Sequence, residues 1–232
     1  MKWLKNYWGL IFVVFLFSCN AEKLNTADNL VFNIMNQNTK ERVADTVMRN
    51  KSIDTAIFAG GCFWCMEGQF EMLEGVNSVE SGYIGGNVPH PSYELVCSGA
   101  THHAEAIRIV FDSNVISYNQ LLAAFFMAHD PTLLNRQGND IGTQYRSAIF
   151  PINNDQKKMA TDFLAEIKER NVFANPVVTS IEFGHEFYKA ESYHDDYFQN
   201  NPDKPYCQMV VKPKVEHFKK YFADKLKKNS GK

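Results

Sequence analysis

The stretch Ala56-Ile57-Phe58-Ala59-Gly60-Gly61-Cys62-Phe63-Trp64-Cys65-Met66-Glu67 sets the reading of the whole chain. A short apolar run, Ala56 to Ala59, ends in paired glycines. From Cys62 onward the apolar positions Phe63, Met66, Phe70 and Leu73 recur at three- and four-residue spacing. That change of period predicts a buried strand, a tight Gly-Gly turn and a helix starting at or just after Cys62. A thiol at a helix start faces unpaired backbone N–H groups and the positive end of the dipole, and both favour the thiolate. Cys62 is therefore a candidate nucleophile, with an apolar surface beside it in Phe63 and Trp64 and a second sulfur, Cys65, in reach. The plainer reading of the same pair is two small buried core residues. A structural zinc site would need further sulfur or imidazole ligands, and no second Cys-x-x-Cys is present, so no metal is expected.

Working toward the C-terminus, Gly75 to Tyr83 reads as a turn into a strand, and Gly85 to Tyr93 as a Gly/Pro-rich loop too polar for a core. Ala104 to Asp112 alternates as a second strand, and Tyr118 to Ala128 is an amphipathic helix. A polar loop from His129 to Tyr145 leads to a short strand, Ser147 to Pro151. A solvent-faced helix, Asp155 to Arg170, and a further strand, Val177 to Phe183, complete the pattern. Strands alternating with helices predict an α/β fold, a two-layer sandwich resembling a ferredoxin-like core with terminal extensions and long functional loops. Within it, Glu105 stands in an apolar strand. Half-buried there, its carboxyl would have a raised pKa and could carry a proton near neutral pH; facing solvent, it would simply satisfy the alternation. Tyr93 and Tyr145 close the two polar loops, Asp140 sits in a turn-like Gly-Asn-Asp-Ile-Gly segment, and His185 and His194 read as structural.

Toward the N-terminus, Lys2 and Lys5 precede an apolar run from Tyr7 to Phe17 and then Ser18-Cys19. This is too short for a membrane span and fits a secretory signal over residues 1–19. Leu16-Phe17-Ser18-Cys19 resembles the lipobox of bacterial lipoproteins, which implies cleavage and lipidation at Cys19 and a place in the cell envelope outside the cytoplasm. Residues 20–52, rich in Asn, Thr, Lys and acidic residues, read as a polar tether with a transient helix near Thr39 to Met48. The catalytic domain is expected over 53–222, with a basic tail over 223–232. The whole chain, 232 residues with 45% hydrophobic content, can form a sizeable core. A formal net charge of -2 without basic runs excludes a nucleic-acid partner of the usual electrostatic kind. Five cysteines are too few for a disulfide-stapled scaffold.

Taken together, these stretches resemble a peptide methionine sulfoxide reductase of the A type. Gly61-Cys62-Phe63-Trp64 matches that family's catalytic signature. Gly82-Tyr83-Ile84-Gly85-Gly86, Pro91-Ser92-Tyr93, Val96-Cys97-Ser98-Gly99 and His103-Ala104-Glu105-Ala106 follow in the family's order. So do His129-Asp130-Pro131, Arg136 to Asp140, Gly142 to Ser147, Phe187-Tyr188, Ala190-Glu191, Tyr193-His194 and Asn201-Pro202. The resemblance implies reduction of methionine S-sulfoxide, free or in oxidised proteins. It makes Cys62 the nucleophile, Glu105 the proton donor to the sulfoxide oxygen, and Phe63 and Trp64 the pocket for the S-methyl group. Tyr93 and Tyr145 would hydrogen-bond the oxygen, and Asp140 matches the remaining polar pocket residue. A sulfenic acid on Cys62 would then condense with a resolving thiol. Cys207, on a segment expected to be mobile, is favoured; Cys65 alone, or a relay through both, stays open. Cys97 matches a non-catalytic position. The resemblance implies no prosthetic cofactor, a thioredoxin-like dithiol reductant, and a monomer.

Two rivals come from other classes. A thiol-disulfide oxidoreductase would use Cys62-Phe63-Trp64-Cys65 directly, although bulky residues between the cysteines and two long polar loops fit it poorly. A lipid-anchored binding module would keep its activity after thiol alkylation.

Overall fold

The computed structural model describes residues 26–31, 33–34 and 52–228. At its centre β1 (Ile53–Gly60) and β3 (Ala104–Asp112) pair antiparallel, with Phe58 opposite Ile107. On the far side of β3 lies β2 (Val76–Ile84), again antiparallel, with Tyr83 opposite Glu105. β6 (Ser147–Ile149) pairs antiparallel with the end of β1. Short edge strands β7 (Ser180–Ile181) and β8 (Tyr188–Lys189) complete a six-stranded sheet in the order β7-β6-β1-β3-β2-β8. A separate two-stranded hairpin, β4 (Arg136–Gln137) with β5 (Asp140–Ile141), stands apart from it.

Alternation along β3 decides the layers. Ile107, Ile109 and Phe111 belong to the main core, while Ala104 and Ala106 face a smaller cluster with Ile57, Ala59, Ile84 and Phe150. The main core is closed by α2 (Phe63–Phe70) and α4 (Tyr118–Ala128), the helices that follow β1 and β3. α4 is started by a full capping box, the Ser117 hydroxyl on the Gln120 N–H and the Gln120 side chain on the Ser117 N–H. α5 (Asn154–Glu169) packs on α4 through Phe163, whose ring stacks on Phe126 at 5.8 Å. α7 (Lys212–Tyr221) packs on α2 through Phe218 and Phe70. The mixed α/β fold read from the sequence is therefore present, with helix and strand in the expected order.

Four segments differ from expectation. The strand expected over Val177–Phe183 shrinks to Ser180–Ile181, because the Val178 N–H is spent on Pro131 O outside the ladder. The long polar loop of residues 129–145 is folded into the β4–β5 hairpin and a 3-10 turn, Thr143–Tyr145. Residues 26–31 and 33–34, inside the expected tether, are helical (α1). Ala27, Val31 and Ile34, at helical spacing, are buried in the main core. Asp28 reaches His217 on α7, Nε2 to Oδ2 at 3.2 Å. Residues expected as a tail also turn back: the Lys227 N–H donates to Met72 O and Leu226 bridges Leu73. The signal segment and lipobox, with Cys19, and the helix expected near Thr39 to Met48 lie outside the described residues. Among the described residues no helix is long and apolar enough to cross a membrane.

Candidate active site

Gly61 links β1 to α2 with φ +90°, which an L side chain rarely adopts, and a Cβ there would run into the Gln137 side chain. This turn makes Cys62 the N-cap of α2, with its carbonyl accepting from the N–H groups of Cys65 and Met66. Cys62, Cys65 and Cys207 form one buried cluster with Val211 and Val215. All three are free thiols. Burial pushes the Cys62 thiol well up, and its hydrogen bond with Cys65 adds to this. That same bond holds Cys65 below the usual thiol range, with the Lys214 charge helping. The Tyr206 hydroxyl and the Cys65 N–H pull Cys62 the other way. So the helix start favours a thiolate, as expected, but in the closed pocket burial opposes it.

Glu105 is 1% exposed, more deeply buried than the sequence suggested. Its Oε2 accepts from the Phe63 N–H at 3.1 Å, which places the carboxyl at the first turn of α2 beside Cys62. Burial raises its pKa well above the carboxylate range, and the neighbouring Cys62 adds to the shift. The hydroxyls of Tyr93 and Tyr145 are raised too, by burial first and then by the nearby Glu105 carboxyl, which puts all three groups in one pocket. Phe63 is buried at the back, stacked on Tyr93 at 6.4 Å and tilted against Tyr83 at 6.0 Å. Trp64 stacks face to face on Tyr197, the first residue of the short α6 (Tyr197–Asn200), at 3.7 Å, and its indole N–H donates to His194 Nδ1 at 3.0 Å. Asp140, on β5, accepts from the Tyr206 hydroxyl at 2.6 Å.

All the described candidates thus converge: Cys62, Phe63, Trp64, Cys65, Tyr93, Glu105, Asp140, Tyr145 and Cys207. Two expectations change. Cys207, expected on a mobile segment, opens a π-helical turn, Cys207–Val211, and is fully buried. Its thiol is raised by burial and by Cys62. His194 is more than a structural residue near the last helix, because it touches the pocket through Trp64. Sequence reasoning also missed Tyr206, Tyr83 and Glu191. The adjacency of Tyr206 to Cys207 was the one available signal. Cys97 lies at the end of α3 (Tyr93–Cys97), where it bonds with the Tyr93 hydroxyl. Among the described residues no three His, Cys, Asp or Glu side chains are grouped to hold a metal ion.

A buried thiol at a helix start beside a buried carboxyl of raised pKa and an aromatic cage suits a neutral, polarised substrate whose leaving oxygen takes up a proton. The sequence profile described as "Peptide methionine sulfoxide reductase" matches residues 54–226. Over 174 residues the chain is 54% identical to the peptide methionine sulfoxide reductase MsrA of Deinococcus radiodurans, covering 75% of this chain and 84% of that protein. It is 48% identical over 179 residues to the MsrA of Saccharolobus solfataricus, covering 77% of this chain and all (100%) of that one. Among solved structures it resembles reduced Mxr1 from Saccharomyces cerevisiae, with TM-score 0.62 and 32% identity over 68% of this chain and 91% of that one. Methionine sulfoxide reductase A of Corynebacterium diphtheriae gives TM-score 0.56 and 30% identity over 66% of this chain and 77% of that one. The chain belongs to the peptide methionine sulfoxide reductase family.

Proposed function

We propose that this chain reduces methionine S-sulfoxide to methionine, in oxidised proteins and as the free amino acid, with Cys62 as nucleophile and Glu105 as proton donor. The observation that carries the assignment is the buried Glu105 carboxyl, hydrogen-bonded to Phe63 N–H in the first turn of the helix that Cys62 caps. Proton and nucleophile are thereby offered to one substrate sulfoxide from adjacent positions. The Cys62 thiolate attacks the sulfoxide sulfur while Glu105 delivers its proton to the oxygen. A second proton lets the S–O bond break with loss of water, leaving a Cys62–methionine S–S bond. Water then adds to the Cys62 sulfur and gives up a proton, the S–S bond breaks, and methionine leaves with Cys62 as the sulfenic acid. The faces of Phe63 and Trp64 hold the S-methyl group and so select one configuration at sulfur, and the Tyr93 and Tyr145 hydroxyls hold the oxygen. Asp140, through Tyr206, sets the third side.

Resolution needs a second thiol, whose attack on the sulfenic acid releases water and forms a disulfide. Cys65 already shares a hydrogen bond with Cys62, so that disulfide needs little displacement. Cys207 lies in the same cluster and can exchange onto it. The proposal is a relay through both, closed by an external dithiol of the thioredoxin kind that reduces the final disulfide. No prosthetic group enters the scheme. Residues 1–19 are proposed as a lipoprotein signal, anchoring the mature chain through Cys19 to the cell envelope. Loss of membrane association in Cys19→Ala would be the expected result, and retention would overturn it.

The test is reduction of a methionine S-sulfoxide peptide by the full chain in detergent, without reductant. About two methionines per chain are expected, the second because exchange of the disulfide onto Cys65 and Cys207 frees Cys62 again, with about one in Cys207→Ser and none in Cys62→Ser. Disulfide mapping in Cys65→Ser and Cys207→Ser then orders the relay. No methionine from wild type, with reduction of insulin disulfides instead, would overturn the assignment in favour of a thiol-disulfide oxidoreductase.

A further inference from the structure

We infer that Glu191 is a positioning residue for the reductase step, one carboxylate that fixes both the oxygen-binding wall and the methyl-binding wall of the pocket. This rests on the sulfoxide reductase reading of the site. The root of the side chain is fastened first: β8 pairs with β2, Lys189 opposite Gly82, and the Ala190 N–H donates to Ser81 O at 2.9 Å. From there the carboxylate turns inward although the side chain is only about two-thirds covered, with 34% of it exposed. A surface acid with no task would point both oxygens at water.

Each oxygen has a partner of consequence. Oε1 accepts from the backbone N–H of Tyr93 at 2.9 Å. Tyr93 is the first residue of α3, and an N–H there has no carbonyl within the helix to bond. Ser92, the N-cap, spends its hydroxyl on the Leu95 N–H, so Glu191 supplies what the cap does not. Oε2 accepts from the Tyr83 hydroxyl at 2.8 Å, and Tyr83 is the cross-strand neighbour of Glu105. Tyr93, whose hydroxyl bonds with Cys97 and feels the Glu105 carboxyl, is thus held to the strand that neighbours Glu105 through a single carboxylate.

The methyl-binding wall hangs on the same group. His194 Nδ1 accepts the Trp64 indole proton, which leaves the ring proton on Nε2. That nitrogen is buried without a hydrogen-bond partner and stands 3.9 Å from Glu191 Oε2. The negative charge of Glu191 favours this tautomer and holds the ring in the orientation that Trp64 needs. The imidazole itself is kept neutral by burial, against the pull of Glu191.

The test uses the full chain with the methionine S-sulfoxide peptide, measuring the single-turnover rate for wild type, Glu191→Gln, Glu191→Asp, Tyr93→Phe and the double variant Glu191→Gln with Tyr93→Phe. A glutamine can accept at only one of the two donors and carries no charge. Glu191→Gln is expected to slow methionine release by about 10- to 100-fold, as displacement of a reacting pocket does. Glu191→Asp, which keeps the charge, is expected to recover part of that rate. The double variant should lose less than the product of the two single losses, because the share that Glu191 exerts through Tyr93 is already gone while the share through His194 and Trp64 remains. With 5-fluorotryptophan incorporated, the Trp64 fluorine resonance, assigned by Trp64→Phe, should shift in Glu191→Gln. A rate within about twofold of wild type, or losses that multiply in the double variant, would overturn the inference. So would an unmoved Trp64 resonance. An inactive wild type would instead overturn the reductase reading itself, so the two failures are distinct.

Discussion

At the scale of single residues, the chemistry depends on where one proton sits. Glu105 has its pKa raised by burial and by Cys62, so its acid form extends upward toward neutral pH. A proton donor must hold its proton, so the reductase step should slow as pH rises through that raised value. Glu105→Gln should lower the single-turnover rate by about 10²- to 10⁴-fold, the range for losing a positioned acid, and should abolish the alkaline fall. A pH–rate profile of both proteins on an S-sulfoxide peptide checks this; an unchanged alkaline limb in the variant would remove Glu105 from the role. Cys62 and Glu105 were legible in the sequence because each breaks a local pattern, a thiol at a change of period and an acid in an apolar strand. Tyr206, His194 and Glu191 carried no readable role, although Glu191 and His194 fall in stretches that carry the resemblance. Each stands more than 80 residues beyond Glu105 and looks locally like an ordinary surface or packing residue, so only the fold reveals its partner.

At the scale of elements, the turn between β1 and α2 aims the nucleophile, and its geometry admits no side chain at Gly61. The Gln137 side chain fills that space while donating to Asp130 O at 2.6 Å and accepting from the Asp130 N–H at 3.1 Å. Gly61→Ala combines a positive φ with a clash, so a loss of about 2 kcal/mol or more is expected, together with lower activity as Gln137 is displaced. Urea unfolding beside the peptide assay measures both. Ser117→Ala, at the far end of the core, should cost about 1 kcal/mol through the lost cap and leave the reductase step unchanged, which separates stability from aim. The strand–turn–helix unit was visible in sequence because periodicity and glycines agree there. The edge strand near Ser180 was misjudged in length because ladder pairing at a sheet edge depends on neighbours that local pattern does not contain.

At the scale of the whole molecule, α2 carries a second buried acid on its rear side. Glu67 is pushed up to about 8, by burial first and then by Glu71 and Asp196, while the Ser81 hydroxyl donates to its Oε1. The folded chain therefore holds this proton where the unfolded chain has released it. The associated stability is fully present below the ordinary Glu value, about pH 4.5, and is lost as pH rises through about 8. Glu67→Gln should thus melt like wild type near about pH 4.5 and higher than wild type near about pH 8. Equal melting temperatures at the higher pH would contradict the buried-acid assignment. α1 ties in the other end of the chain: Ile34→Ala should cost about 2–4 kcal/mol, as truncating a core side chain does, although it lies outside the residues matched to the family. Docking of α1 also changes the leash on the proposed anchored enzyme. A free run over residues 20–52 would stretch to about 115 Å, whereas the six residues before α1 stretch to only about 20 Å. If Cys19 is held in lipid as proposed, the domain would sit within about 20 Å of the membrane surface. Repair would then favour proteins that are themselves at that surface.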